Sequence, residues 1–225
     1  MTSEQRLLKI FHLLLAAFGK RHWWPGETDL EIAVGAILTQ NTSWKNVEKA
    51  INSLKWEGLL NVHTLQNISE KELGEVIRSS GFYNVKSRRL KSFINVIHER
   101  FNGKISNLSN LSTEALREIL LGIDGIGPET ADSILLYALN RPVFVVDAYT
   151  KRFLSNHRLH CDHTTYDDVQ RWFMMHLPCD TYLFNEFHAL IVYLGQNYCR
   201  KKPMCNGCPL EEDLKEYPQQ ASSRK

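Results

Sequence analysis

Residues 120–147 read LLGIDGIGPETADSILLYALNRPVFVVD. Gly122, Gly125 and Gly127 surround a hydrophobic step, Ile123 and Ile126, and a helix opens at Pro128, Glu129 and Thr130. Glycines ahead of a helix N-terminus let backbone N–H groups approach a phosphate closely, and the helix dipole favours the negative charge. The helix runs out near Asn140, and the apolar run after it ends on one acid, Asp147. A carboxylate in that place is a candidate catalytic group and equally the N-cap of the next helix. The stretch therefore predicts an element that grips a nucleic-acid backbone, with chemistry attached to it.

Working outward, helical periodicity dominates and hairpin signals are scarce. Leu7, Leu8, Phe11, Leu14 and Leu15 make a first amphipathic helix, broken by Trp23, Trp24, Pro25 and Gly26. Thr28-x-x-Glu31 reads as a capping box for a helix carrying Leu30, Ala33, Val34 and Ile37, and Ser69-x-x-Glu72 as another. Between them, a turn at 41–43 leads to a helix with Val47, Ala50, Ile51 and Leu54. Gly81 ends the helix that follows Ser69; 84–100 then reads as a long basic helix, and Ser112 starts the one leading into the glycine hairpin. After Asp147, helices are predicted near 148–155, 166–176 and 181–197, with a polar, frayed tail over 219–225. The fold class is all-α with short loops.

The bulk numbers narrow the class. At 225 residues and 43% hydrophobic content the chain can bury an ordinary core in one large domain or two small lobes. A net charge of +2 confines any nucleic-acid footprint to local patches. Two such patches are Lys86, Arg88, Arg89, Lys91 and Arg200, Lys201, Lys202, and each alone is more often a solvated helix face than a binding site. No run reaches the length of a membrane span and residues 1–20 lack the pattern of a signal peptide, so a cytoplasmic protein with no membrane partner is expected. Five cysteines in that compartment argue against a disulfide framework, and three of them cluster as Cys199-x5-Cys205-x2-Cys208.

Taken in order, Gly35–Thr42 (GAILTQNT), Gly81-Phe82-Tyr83-Asn84-x-Lys86, Gly125-Ile126-Gly127-x-x-Thr130-Ala131, Val145-Val146-Asp147 and the cysteine tail resemble the helix-hairpin-helix DNA glycosylases of the endonuclease III superfamily. The matched set spans roughly residues 24–210. The resemblance implies two helical lobes with a central cleft. One lobe holds 26–142 with the hairpin; the other holds 1–25 plus 143–225, with the Asp147 helix and the cysteine loop. It also implies a monomer acting on double-stranded DNA that contains a damaged base.

The resemblance assigns roles residue by residue. Gly125, Ile126, Gly127 and Thr130 would grip a DNA phosphate without reading sequence, with help from a monovalent cation. Asp147 would stabilise the oxocarbenium-like sugar and orient the attacking water. Glu129 stands where strand-cutting members carry a Schiff-base lysine, so base removal should stop at the abasic site. Trp24, Pro25 and Trp44 resemble the aromatic pocket of the bacterial 3-methyladenine DNA glycosylases, where a cationic base is sandwiched, and Glu129 could add negative potential there. Gln40 would fill the gap left by the extruded base, and Lys86 would contact a phosphate.

Family members with an iron–sulfur cluster show C-x6-C-x2-C-x5-C. Here Cys199, Cys205 and Cys208 are one residue short in the first gap, and Leu214 or Lys215 stands near the fourth position. Either the three thiolates hold a [4Fe-4S] cluster with an incomplete ligand set, or the loop packs without metal. The leading function is a monofunctional glycosylase for alkylated purines. The alternatives are a glycosylase for oxidised, deaminated or mismatched bases, and a non-catalytic module that binds damaged DNA.

Overall fold

A computed structural model describes residues 1–159 and 165–217; the predicted frayed tail and Cys161 lie outside the described residues. The described residues are helical throughout, with no strand. In chain order the α-helices are α1 (Ser3–Phe18), α2 (Asp29–Leu38), α3 (Trp44–Trp56), α4 (Val62–Asn67), α5 (Glu70–Val76), α6 (Tyr83–Phe101), α7 (Thr113–Leu121), α8 (Pro128–Ser133), α9 (Ala148–His157), α10 (Tyr166–His176), α11 (Thr181–Asn197) and α12 (Glu211–Glu216). α8 continues over Ile134–Ala138 as a wider turn, in which Leu139 N bonds to Ile134 O at 3.1 Å, five residues back.

The chain divides into two compact units, Trp24–Arg141 and Met1–Trp23 with Pro142–Lys225. In the first, α2 is buried all round through Leu30, Ala33, Val34, Ala36, Ile37 and Leu38, and α3, α6 and α8 pack against it. A decamer that is apolar apart from Asp29 and Glu31 in its first turn forms such a central helix because each of its faces meets a neighbour. Ser69 and Glu72 make the predicted capping box at α5. At α2 only half of one forms. Thr28 Oγ1 accepts from Glu31 N at 3.2 Å, but Glu31 Oε2 accepts instead from Glu27 N at 3.0 Å. The ion pair that Glu31 makes with Lys55 at 2.8 Å holds its carboxylate on that side.

In the second unit, α11 is the core helix, flanked by α1 and α9. The apolar run Val143–Val146 crosses the interior in extended form, and Phe144 stacks on Phe173 at 3.9 Å with 7° between ring planes. Side chains of α10 satisfy its backbone: Gln170 Nε2 donates to Phe144 O at 2.7 Å, and Val146 N donates to Tyr166 Oη at 3.3 Å. Gly195 of α11 lets α9 come close, since a Cβ there would sit 2.3 Å from Tyr149 Cδ1. That approach sets the start of α9, where Asp147 stands.

A buried ion pair closes the C-terminal segment onto α1. Arg6 donates to both oxygens of Asp213, from Nε at 3.0 Å and Nη2 at 2.8 Å. Asp213 Oδ2 also lies 3.0 Å from His157 Nδ1, and the guanidinium of Arg6 sits 3.8 Å over the Tyr217 ring. Burial alone would raise the Asp213 pKa, but hydrogen bonds from His157 and Arg6, with the charge of Arg6, outweigh it and hold the carboxyl at about 2.

Candidate active site

The glycine hairpin joins α7 to α8 within the Trp24–Arg141 unit. Ile123 and Ile126 are buried and anchor the turn, and the ion pair Arg117 Nε to Asp132 Oδ1 at 2.8 Å ties the two helices behind it. Gly125 has φ +78°, a conformation that favours glycine, and Gly127 is the N-cap residue before Pro128 at the first helical position. Among the described residues the N–H groups of Gly125 and Gly127 have no hydrogen-bond acceptor. They are available to an external anion. The carbonyls of Ile123 and Gly125 each accept one hydrogen bond. Their second lone pairs suit a monovalent cation without requiring one.

Gln40 is placed differently from the free wedge expected of it. Its Nε2 donates to Gly125 O at 3.0 Å and to Thr130 Oγ1 at 2.9 Å, and its Oε1 accepts from Arg89 Nη1 at 2.5 Å. The carboxamide is therefore spent tying α2 and α6 to the hairpin. The exposed residue is Phe82, quoted in the Gly81–Lys86 motif without a role. It is 68% exposed with φ +48°, an aromatic held toward solvent in a backbone conformation unfavourable to it.

Lys86 corrects the phosphate-contact expectation. It is 2% exposed, and its Nζ donates to Leu38 O at 2.8 Å and Ser80 O at 2.6 Å. Burial, with a smaller contribution from nearby Arg89, lowers its pKa to about 8. Lys91 does similar work, donating to Leu65 O, Gln66 O and Ile68 O at 2.9, 2.6 and 2.8 Å. Two lysines of the basic run thus cap carbonyls inside the unit, and Arg88 is the member left exposed.

Trp24 and Trp44 meet edge to face, with centroids 5.1 Å apart and planes at 87°, and Trp24 also packs on Tyr137 at 5.2 Å. A base sandwiched between two rings needs them parallel and roughly 7 Å apart, twice a carbon contact distance, so in this arrangement no base fits between the pair. Beside it lies a cavity of about 330 Å³ lined by Pro25, Glu27, Glu31, Trp44, Glu48 and Lys55, among others. Lys55 pairs with Glu31 at 2.8 Å and with Glu27 at 3.3 Å. The Glu48 carboxylate forms no ion pair or hydrogen bond among the described residues. Three carboxylates against one ammonium make the recess acidic. Glu129 lies elsewhere, exposed on the first turn of α8, and does not line this cavity.

Asp147 belongs to the other unit and is the N-cap of α9. Its Oδ1 accepts from Thr150 N at 2.7 Å and from Thr150 Oγ1 at 2.9 Å, which fixes the carboxylate at the start of α9. His188 Nε2 of α11 lies 3.7 Å from Oδ2. Burial lowers the His188 pKa against the opposing pull of Asp147, so the imidazole is neutral at pH 7. Sequence reasoning passed over His188. Its signal was its spacing from Phe184 and Ile191, which puts it on the buried face of α11.

The described cysteines are Cys179, Cys199, Cys205 and Cys208, all in the last quarter of the chain. Cys199, Cys205, Cys208 and Leu214 line a cavity of about 260 Å³ with His157 and Met204. Leu214 cannot ligate a metal, Cys199 Sγ accepts from Asn156 Nδ2 at 3.1 Å, and no three His, Cys, Asp or Glu side chains among the described residues come together as a metal-holding group. The donor set does not fit a four-ligand cluster.

Residues 34–179 match the family model of the HhH-GPD superfamily of base excision DNA repair proteins. A Methanocaldococcus jannaschii protein named "Putative DNA repair glycosylase MJ1434" is 48% identical over 209 residues, 92% of this chain and 95% of its own length. Endonuclease III of Sulfolobus acidocaldarius is 26% identical over 186 residues, 82% of this chain and 80% of its own. Among solved structures, H. pylori 3-methyladenine DNA glycosylase bound to 1,N6-ethenoadenine is similar, with a TM-score of 0.76 and 31% identity over 87% of this chain and 98% of that one. An endonuclease III–DNA complex, 20% identical with a TM-score of 0.79 over 97% and 100% of the two chains, shares the fold. The chain belongs to the HhH-GPD superfamily of base excision DNA repair proteins and is a DNA glycosylase, a hydrolase of N-glycosyl bonds.

Proposed function

We propose that the chain is a monofunctional glycosylase that extrudes N-alkylated purines of the 3-methyladenine kind from double-stranded DNA and hydrolyses their N-glycosidic bond. The observation that carries this reading is the hairpin itself. Residues 122–130 contain no lysine, and Glu129 holds the place of the amine that would form a Schiff base. Water, rather than a side chain, is then the nucleophile, and the reaction stops at an abasic site.

The rest of the geometry supports the same chemistry. The free N–H groups of Gly125 and Gly127 hold a backbone phosphate, which positions the duplex without reading its sequence. Exposed Phe82 is suited to enter the base stack as an apolar wedge while the target nucleotide leaves it. The acidic recess beside Trp44 and Pro25 favours a base carrying positive charge. Such a base is already a good leaving group and needs no strong general acid. Asp147, its Oδ1 immobilised by Thr150, offers Oδ2 to the developing oxocarbenium ion and to the attacking water. The H. pylori relative was solved with a modified adenine bound, which is consistent with a purine pocket in this chain.

The test is free-base release from a panel of duplexes, each with one alkylated, oxidised, deaminated or mismatched base. Preferential release of alkylated purines is the expected outcome. Equal or better release of neutral lesions would instead establish the broader glycosylase. Tight binding of an abasic-site analogue with no release from any duplex would establish a non-catalytic module.

A further inference from the structure

The hairpin that would hold a phosphate is itself acidic: residues 122–130 carry Asp124 and Glu129 and no cation. A purely backbone grip beside two carboxylates is a poor site for a polyanion. The structure supplies a cation from α6. The stem of Arg89 crosses the Cα face of Gly125, and a Cβ on that glycine would lie 2.3 Å from Arg89 Cγ and 2.4 Å from Nε. With standard bond lengths this puts Nε no more than about 5 Å from the Gly125 nitrogen, whose N–H has no acceptor among the described residues. Gly125 is thus required twice, by its φ of +78° and by the space Arg89 occupies.

Arg89 is also held in place. Its Nη1 donates to Gln40 Oε1 at 2.5 Å, and Gln40 Nε2 donates back to Gly125 O and Thr130 Oγ1. Among the described residues this is the only hydrogen bond of the Arg89 side chain, and it makes no ion pair. A guanidinium has five N–H donors. Four remain, oriented by the first and placed beside the free hairpin amides.

We propose that Arg89 is a phosphate-binding residue of the hairpin, sharing one DNA phosphate with the Gly125 and Gly127 amides and supplying the charge that the hairpin sequence lacks. This rests on the reading of the hairpin as the phosphate grip. The ligand is a phosphodiester of duplex DNA, and the contact is independent of base sequence.

The test measures binding of a duplex with one tetrahydrofuran abasic-site analogue as a function of salt concentration. Wild type, Arg89→Met, Arg89→Lys and Gln40→Ala are compared, with thermal melting to verify folding. Arg89→Met should weaken binding about tenfold. It should also reduce the magnitude of the slope of log K against log salt by about 0.9, one released counterion. Arg89→Lys should keep the wild-type slope with part of the affinity. Gln40→Ala should lower affinity at unchanged slope, because it removes the tether and no charge. If Arg89→Met melts like wild type and keeps the wild-type slope, Arg89 only supports the hairpin and the proposal is wrong. If wild type itself binds the duplex without salt dependence, the phosphate-grip reading fails and takes the proposal with it.

Discussion

Asp147 caps α9 and, in the proposed reaction, also carries the catalytic charge, and one pair of substitutions distinguishes the two roles. As N-cap of α9 its Oδ1 accepts both the N–H and the hydroxyl of Thr150, a residue that is fully buried. Asparagine keeps an oxygen at that position and caps as well as aspartate, so Asp147→Asn should change stability by less than about 0.5 kcal/mol. Alanine loses the cap, worth about 1 kcal/mol. It also strands the buried Thr150 hydroxyl, which costs roughly another 1–2 kcal/mol. For a chain of this size, 2–3 kcal/mol lowers Tm by about 5–10 °C. In the proposed mechanism catalysis depends on charge rather than on the cap. Both variants should therefore lose at least about 10²-fold in the excision step, the usual scale for removing a group aimed at transition-state charge. The assay is single-turnover release of the alkylated purine at saturating enzyme, with melting curves run in parallel. An Asp147→Asn protein that excises within tenfold of wild type would refute the catalytic role. One that melts as low as Asp147→Ala would refute the capping argument.

Other consequences are equally open to measurement. Lys86→Met should lower Tm by about 3–10 °C, because it leaves the Leu38 and Ser80 carbonyls without their donor, at roughly 1–3 kcal/mol net of the relief from burying an ammonium. The salt slope of its DNA binding should stay at the wild-type value, whereas a phosphate-contacting lysine would show the opposite pair of results. The Asp213 carboxyl, held at about 2 and thus below its unfolded value, contributes stability that is complete above about pH 5. That contribution, roughly 2 kcal/mol, should be lost as pH falls from 4 toward 2, and denaturant titrations of wild type and Asp213→Asn across that window should converge. Glu48→Gln should lower the preference for cationic over neutral purines about threefold, the worth of one charge at roughly 7 Å in a water-like medium, read as the ratio of excision rates.

Local signals in the sequence translated well. Helical periodicity placed the long elements, the Ser69 box formed as written, and the hairpin glycines fell where a left-handed turn and a helix start were needed. The short helices α4 and α12 escaped because six residues are too few to show a period. The larger departures all involve partners distant in sequence. Lys86 reads as part of a basic run, yet Leu90, Phe93, Ile94 and Ile97 lie four, seven, eight and eleven residues on, so it shares their buried face. That spacing was legible; the two carbonyls it serves were not. Gln40 and Arg89 meet across 49 positions, and no local pattern announces that pairing. The edge-to-face geometry of Trp24 and Trp44 likewise depends on Tyr137, which the wide turn after α8 brings against Trp24.

The central claim is that water attacks the sugar with the help of Asp147, and that no amine in this chain does. It is tested most directly by incubating the protein with methylated duplex DNA in parallel samples, measuring protein–DNA adduct in one that contains sodium borohydride and free base and strand breaks in one that does not. Hydrolysis predicts release of the alkylated purine, strands that break only after alkali treatment, and no covalent adduct. A borohydride-trapped adduct, or strand cleavage by the protein alone, would contradict it and show that a lysine elsewhere has taken the role from which Glu129 is barred.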